Sequence, residues 1–341
     1  METIERLTPK DQVTWYLIFG DCIHAAMDVY YRPVKGTKPP RSLKHAQAAF
    51  IEEWGKYDAW LQEQYGPLYK MGIEDEWHEH HAKGLEMLKY YDQFDRAEKM
   101  FDSVLAVGVE ERSFVPILDP AGNELPGKPL LSGRVDLAFE RKIGAAEIMD
   151  HKALASAHAS RALDIDDQLT GYSYIWFRIE GYIPKGSWYN VLVKNPPHEP
   201  KELKPDAKTG KRKLSQDKQQ RTTWEQYHQT LLEMGLPLSD YTEMLDFLAA
   251  KGWSQFYLRE GVQRNEEQMQ SYEKHLYYEY LDMKAALDDE NLRYPNPSQY
   301  TCPGCPVMAI CQTMEEQGDV EYIIDNMYRV QEPRYEIPEG V

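Results

Sequence analysis

The chain has 341 residues, enough for one large domain or two smaller ones. Its 39 Lys and Arg against 56 Asp and Glu give a formal net charge of −17, which excludes a diffuse polyanion binder and leaves only a focused basic track for nucleic acid. No apolar run reaches about 18 residues and METIERLTPKDQ lacks a charged-then-apolar leader pattern, so a soluble, cytoplasmic protein is expected.

Residues 12–31, QVTWYLIFGDCIHAAMDVYY, predict an apolar helix with a break near Gly20. His24 lies on it, and taken alone it suits a satisfied core histidine as well as a ligand. Residues 32–42, RPVKGTKPPRS, read as a Pro- and Gly-rich loop that either touches phosphate or simply connects. Residues 43–104 carry helical spacing and predict a helical insertion that covers a sheet or walls a groove. Within it His78-Glu79-His80-His81 lacks HExxH spacing and a second half-site, so it reads as a surface cluster.

Residues 105–140 predict an antiparallel strand pair around the turn-rich PAGNELPG. The second strand, SGRVDLAFE, sets Asp136 between Val135 and Leu137. After the turn RKIG, the strand GAAEIMDHK ends on Asp150-His151-Lys152. Side chains alternate along a strand, so Asp150 and Lys152 share a face while His151 and Glu147 point away. A plain ion pair would explain Asp150 and Lys152. However, buried acids are costly unless paired or metal-bound, and two on neighbouring strands repel without a cation between them. Asp136 and Asp150 are therefore expected to hold Mg²⁺ or Mn²⁺, with the main-chain carbonyl of His151 as a further oxygen ligand. Lys152 would orient a water or offset charge developing on a phosphate.

A loop, ASAHASRALD, follows, with His158 and Arg161 available to meet phosphate. The next helix carries Gln168 and Tyr172 on one face, four residues apart, to position substrate or Lys152. GSWYNVLVK is a further strand. Residues 194–222 are the one basic stretch, with nine Lys and Arg against four Asp and Glu. Lys211, Arg212 and Lys213 make it a candidate DNA guide, and a solvated insertion is the alternative. Residues 223–290 read as amphipathic helices, interrupted by FYLRE, a strand offering Arg259 as a phosphate contact.

Near the end stand Cys302-x2-Cys305-x5-Cys311. Four cysteines with three clustered do not make a disulfide framework, and the cluster reads as a metal-binding turn in a reducing compartment. Cys22 is the only other cysteine, and it lies two residues before His24, about 200° round a helix from it. Cys22, a carboxylate or a distant histidine could complete the set, and the sequence leaves that choice open. The tail, residues 326–341, is expected to be a loose end after one helix.

Asp136, Asp150-His151-Lys152 and Gln168-x3-Tyr172, preceded by His24 and followed by the cysteines, resemble the PD-(D/E)XK nuclease superfamily in its RecB-like branch, and the layout is most similar to phage-encoded exonucleases. The resemblance covers most of residues 1–325 as a single nuclease domain. It implies a restriction-endonuclease-like α/β fold, with a mixed central sheet flanked by helices. It makes His24 a metal ligand beside Asp136 and Asp150, and Lys152, Gln168 and Tyr172 parts of the catalytic machinery. It implies a [4Fe–4S] cluster at Cys302, Cys305 and Cys311, for which Zn²⁺ is the alternative. The implied activity is metal-dependent DNA hydrolysis in phage recombination or end processing, with a second copy of the chain or a recombination protein as candidate partners. A nuclease-like DNA-binding or assembly subunit with little catalysis is the rival reading.

Overall fold

The computed structural model describes residues 6–9, 15–33, 40–66, 68–104, 106–156, 163–205, 207, 210–289 and 297–331. In chain order the elements are β1 (Arg6–Pro9), α1 (Trp15–Tyr31), α2 (Leu43–Tyr65), α3 (Leu68–Glu98), β2 (Ala106–Pro116), β3 (Leu130–Glu140), β4 (Ala146–Leu154), α4 (Asp167–Glu180), β5 (Ser187–Val193), β6 (Glu202–Leu203), β7 (Lys213–Leu214), α5 (Trp224–Glu233), α6 (Thr242–Lys251), β8 (Tyr257–Val262), α7 (Glu266–Asp288), α8 (Met308–Glu315), α9 (Val320–Met327) and β9 (Tyr328–Gln331). They form two compact units, one of Tyr16–Pro116 and Leu130–Glu273, the other of Met1–Trp15, Ile117–Pro129 and Lys274–Val341.

The larger unit is built on a five-stranded mixed sheet in the order β2-β3-β4-β5-β8. Only β4 and β5 run parallel, and the parallel step requires a crossover, which α4 supplies. β4 is central and buried from Ala146 to His151, which explains its near-continuous apolar reading. Asp150 sits in mid-strand rather than at its end, because Lys152–Leu154 still pair with Val191–Val193. α4 starts at Asp166, whose carboxylate accepts from the Leu169 N–H at 2.8 Å. It stops at Gly181, which is left-handed at φ 78°. Its Leu169 packs on Tyr189, Val191 and Val193 of β5.

The break expected near Gly20 does not occur, and α1 runs unbroken. One helical glycine costs about 1 kcal/mol, less than is gained by burying Ile18, Phe19, Ile23, Met27 and Tyr31. The insertion is the helix pair α2 and α3 with an aromatic core of its own, in which the rings of Trp54 and Trp77 lie 4.1 Å apart. Gly84 admits Phe50, since a Cβ there would stand 2.2 Å from the ring.

A polar knot fills the space between the sheet and these helices. Fully buried Asp95 accepts from Tyr31 Oη at 2.8 Å, from Tyr30 Oη at 3.2 Å and from the Arg259 guanidinium. Arg259 also donates to Tyr91 Oη at 3.0 Å and to Asn190 Oδ1 at 3.3 Å. Its side chain is 4% exposed, which corrects the expectation of a phosphate contact.

The basic stretch is anchored rather than loose. β6 and β7 pair as a hairpin, Leu214 enters a core with Tyr227, Leu231, Tyr241, Met244 and Leu248, and Arg212 grips Glu202 through two hydrogen bonds of 2.7 and 2.9 Å.

In the smaller unit β1 pairs antiparallel with β9, from Arg6–Gln331 to Pro9–Tyr328. The described part of the tail thus ends in β9, and residues 332–341, on which the expected loose end falls, lie outside the described residues. Among the described residues no helix is long and apolar enough to cross a membrane.

Candidate active site

Regular pairing of β3 with β4 ends at Leu137–Met149. One step beyond it stand Asp136 and Asp150, both buried. There the Asp136 carboxylate replaces the ladder and accepts the His151 N–H at 2.7 Å. α1 brings His24 Nδ1 to 3.2 Å from the same Asp136 Oδ2, in contact but off the line of a hydrogen bond.

On the α4 face, Lys152 Nζ lies 2.6 Å from Asp150 Oδ2 and donates to Gln168 Oε1 at 2.7 Å. The Gln168 amide donates in turn to Tyr172 Oη at 2.9 Å and Asp150 Oδ1 at 3.3 Å. Its carbonyl thus faces the lysine and its NH₂ faces the acid and the phenol. The spacing of Gln168 and Tyr172 explains this, because one helical turn sets both over β4. His151 points the other way, stacked 13° off parallel on Tyr31, with Nδ1 2.8 Å from Asn190 Nδ2.

Burial, reinforced by the Asp136 charge, pushes the Asp150 carboxyl up to about 6 despite Lys152. Burial also opposes ionisation of Asp136, but His24 and His151 outweigh it and hold that carboxyl below the usual range. Burial alone would lower His24, and the Asp136 and Asp150 charges raise it instead. His151 is pushed down to about 3 by burial and is neutral. Burial raises Tyr172 to about 12, with Asp150 adding to the effect.

Two buried polar atoms here, His24 Nδ1 and Asp150 Oδ2, each face an opposite charge without hydrogen-bond geometry, Asp136 at 3.2 Å and Lys152 at 2.6 Å. An imidazole nitrogen and a buried carboxylate oxygen beside a second buried carboxylate suit a divalent cation. Among the described residues no group of three or more His, Cys, Asp or Glu side chains is drawn into a metal cage, so these donors would be completed by main-chain oxygen and water. The site opens on a groove of about 510 Å³ lined also by Arg112, Arg134 and Tyr272.

A family model of the PD-(D/E)XK nuclease superfamily matches residues 1–312. The chain belongs to that superfamily. No curated protein matches the chain significantly. Membership points to phosphodiester hydrolysis with DNA as the implied substrate, and PD-(D/E)XK nucleases typically use a divalent metal.

The nuclease brings His24, Asp136, Asp150, Lys152, Gln168 and Tyr172 to one groove. Lys211, Arg212 and Lys213 are exposed on the hairpin and do not line it. His158 and Arg161 fall outside the described residues. Sequence reasoning passed over Arg134, although it stands two residues before Asp136 and so shares its strand face. It also passed over Tyr189, whose hydroxyl donates to Asp166 at 2.7 Å under the Lys152 ammonium.

Cys302, Cys305 and Cys311 follow one another on a 3₁₀ turn and α8, all half-buried, with the Ser298 N–H donating to Cys302 Sγ at 3.2 Å. Cys22 is fully buried, and burial together with Glu53 and Asp21 pushes its thiol well up.

Gly133 of β3 lets α4 come close, for a Cβ there would stand 2.5 Å from Ile175 Cδ1 and 3.2 Å from the Tyr172 ring. Gly133→Ala is expected to destabilise the nuclease by about 1–3 kcal/mol and to lower cleavage by displacing Tyr172. Urea unfolding and turnover on one preparation check both effects, and an unchanged midpoint would show that α4 yields freely.

Proposed function

We propose that the protein is a cytoplasmic, divalent-metal-dependent DNA exonuclease acting in phage recombination or end processing. The observation that carries the hydrolytic reading is the convergence of buried Asp136 and Asp150 with His24 and Lys152 in one groove. Mg²⁺ or Mn²⁺ held by Asp136, Asp150, His24 and the His151 carbonyl would supply Lewis acidity toward the scissile phosphate and acidify water. Gln168 and Asp150 fix the Lys152 ammonium, which offsets charge on the phosphate and orients the attacking water. Tyr172 accepts from Gln168 and keeps its own proton for the substrate. The exonuclease mode, the phage setting and a homo-oligomeric or recombination partner rest on the resemblance. Lys211, Arg212 and Lys213 would guide DNA outside the groove. Cys302, Cys305 and Cys311 would hold a [4Fe–4S] cluster or Zn²⁺, a reading supported by the N–H donated to Cys302. Iron, sulfide and zinc content of the purified protein tests it.

The native protein is expected to degrade linear DNA with Mg²⁺ or Mn²⁺ and to spare closed circles. Lys152→Ala is expected to lower the rate about 10²–10³-fold. Nicking of circles at the same rate would make the enzyme an endonuclease. A folded protein inert with both metals would favour a DNA-binding subunit.

A further inference from the structure

The groove carries a positive feature that the hydrolytic residues do not use. Arg112 of β2 and Arg134 of β3 stand directly opposite each other in the antiparallel register. Both are exposed, and both line the groove that holds Asp136, Asp150 and Lys152. Here they concentrate two guanidiniums in a chain of net charge −17. Their position is fixed by strand geometry. Arg134 and Asp136 share a face two residues apart, which is roughly 7 Å along the strand. DNA advances about 3.4 Å per nucleotide in each strand, so the pair reaches phosphates one or two nucleotides from a phosphate lying over Asp136. The charge of Arg134 is also felt at His24 and Tyr172, which places it within electrostatic range of the site.

We propose that Arg112 and Arg134 form a clamp that grips a phosphate of the cleaved strand one or two nucleotides from the scissile one. The clamp rests on the nuclease reading above and names the focused basic contact that an acidic DNA enzyme requires. Each guanidinium is a planar donor fork of the kind that fits phosphate oxygens. As the arginines act on a spectator phosphate, they set register and affinity and take no part in bond breaking.

The test is a cycle between protein and DNA. Binding of a linear duplex is measured by fluorescence anisotropy in Ca²⁺, and cleavage in Mg²⁺, for the native protein, Arg112→Gln, Arg134→Gln and the pair. The DNA carries a single neutral methylphosphonate, moved one position at a time from the end. Each arginine variant is expected to weaken binding about tenfold or more and to reduce the salt slope by about 0.7–0.9. In cleavage the loss is expected to fall on KM rather than kcat. One methylphosphonate position is expected to weaken the native protein by a similar factor and to add nothing in Arg134→Gln. Losses that multiply at every position, or arginine variants that bind as the native protein does, would overturn the clamp. A native protein that shows the cycle in binding but cleaves nothing would keep the clamp and remove the nuclease reading. Intact cleavage without the cycle would do the reverse.

Discussion

Asp150→Asn is expected to make the metal-free protein more stable while abolishing hydrolysis. Burial and the Asp136 charge raise the Asp150 carboxyl from the ordinary 3.8 to about 6. A carboxyl raised in the folded state contributes stability that is full below pH 3.8 and is lost as pH rises through about 6. Raised His24 acts in the same direction, its contribution being lost as pH climbs through its folded value. Depressed Asp136 acts oppositely, but its loss comes only as pH falls below the ordinary carboxylate range. The native protein in EDTA should therefore melt lower at pH 7.5 than at pH 5. At pH 7.5 Asp150→Asn should recover about 2–3 kcal/mol, the worth of roughly two pKa units. Mg²⁺ or Mn²⁺ should raise the native melting point and leave that of the variant nearly unchanged. Cleavage by Asp150→Asn should fall by about 10³-fold, since several kcal/mol of charge stabilisation goes with the ligand. If the native protein in EDTA melts at the same temperature at both pH values, the carboxylate pair is not frustrated and the argument for a cation between the strands fails.

The second large effect lies behind the sheet. Asp95→Asn leaves buried Arg259 without its carboxylate, and Arg259→Met leaves buried Asp95 with only the longer contact to Arg41, at 3.3 Å. Each is expected to destabilise the fold by about 3–5 kcal/mol in chemical denaturation. The double variant Asp95→Leu/Arg259→Met removes both charges and should lose less than the sum of the singles, because no unpaired ion is left. It should not recover fully, since Tyr30 and Tyr31 lose their acceptor. Strictly additive losses would show that Asp95 and Arg259 do not stabilise each other.

The buried charges differed in how legible they were. Asp136 and Asp150 could be set on neighbouring strands because the alternation of VDL and IMDHK around one short turn is local. The turn of helix joining Gln168 to Tyr172 is local in the same way. Arg259 was misread because FYLRE looks like a strand with a polar end, and nothing nearby shows that it points inward. Its partners Asn190, Asp95, Tyr91 and Tyr31 lie 69, 164, 168 and 228 residues away. The pairing of Arg112 with Arg134 was hidden for a similar reason, since the register across the Ile117–Pro129 connection decides which residues face each other. The uninterrupted α1 shows the limit of reading a single glycine as a break. Strand β9 escaped because its partner β1 stands at the opposite end of the sequence.

The knot around Asp95 also bears on when the enzyme can become active as it is made. Asn190 ties His151 to Tyr91, and Arg259 ties Asn190 and Tyr91 to Asp95. Arg259 is on β8, an edge strand and the last of the sheet to leave the ribosome. A nascent chain that ends before β8 already carries every acid and the lysine of the groove, yet its Asp95 lacks the Arg259 guanidinium and its β5 edge is bare. Truncated products and stalled chains would then be poor nucleases despite possessing the hydrolytic residues. Cleavage would begin only after β8 had emerged and paired with β5.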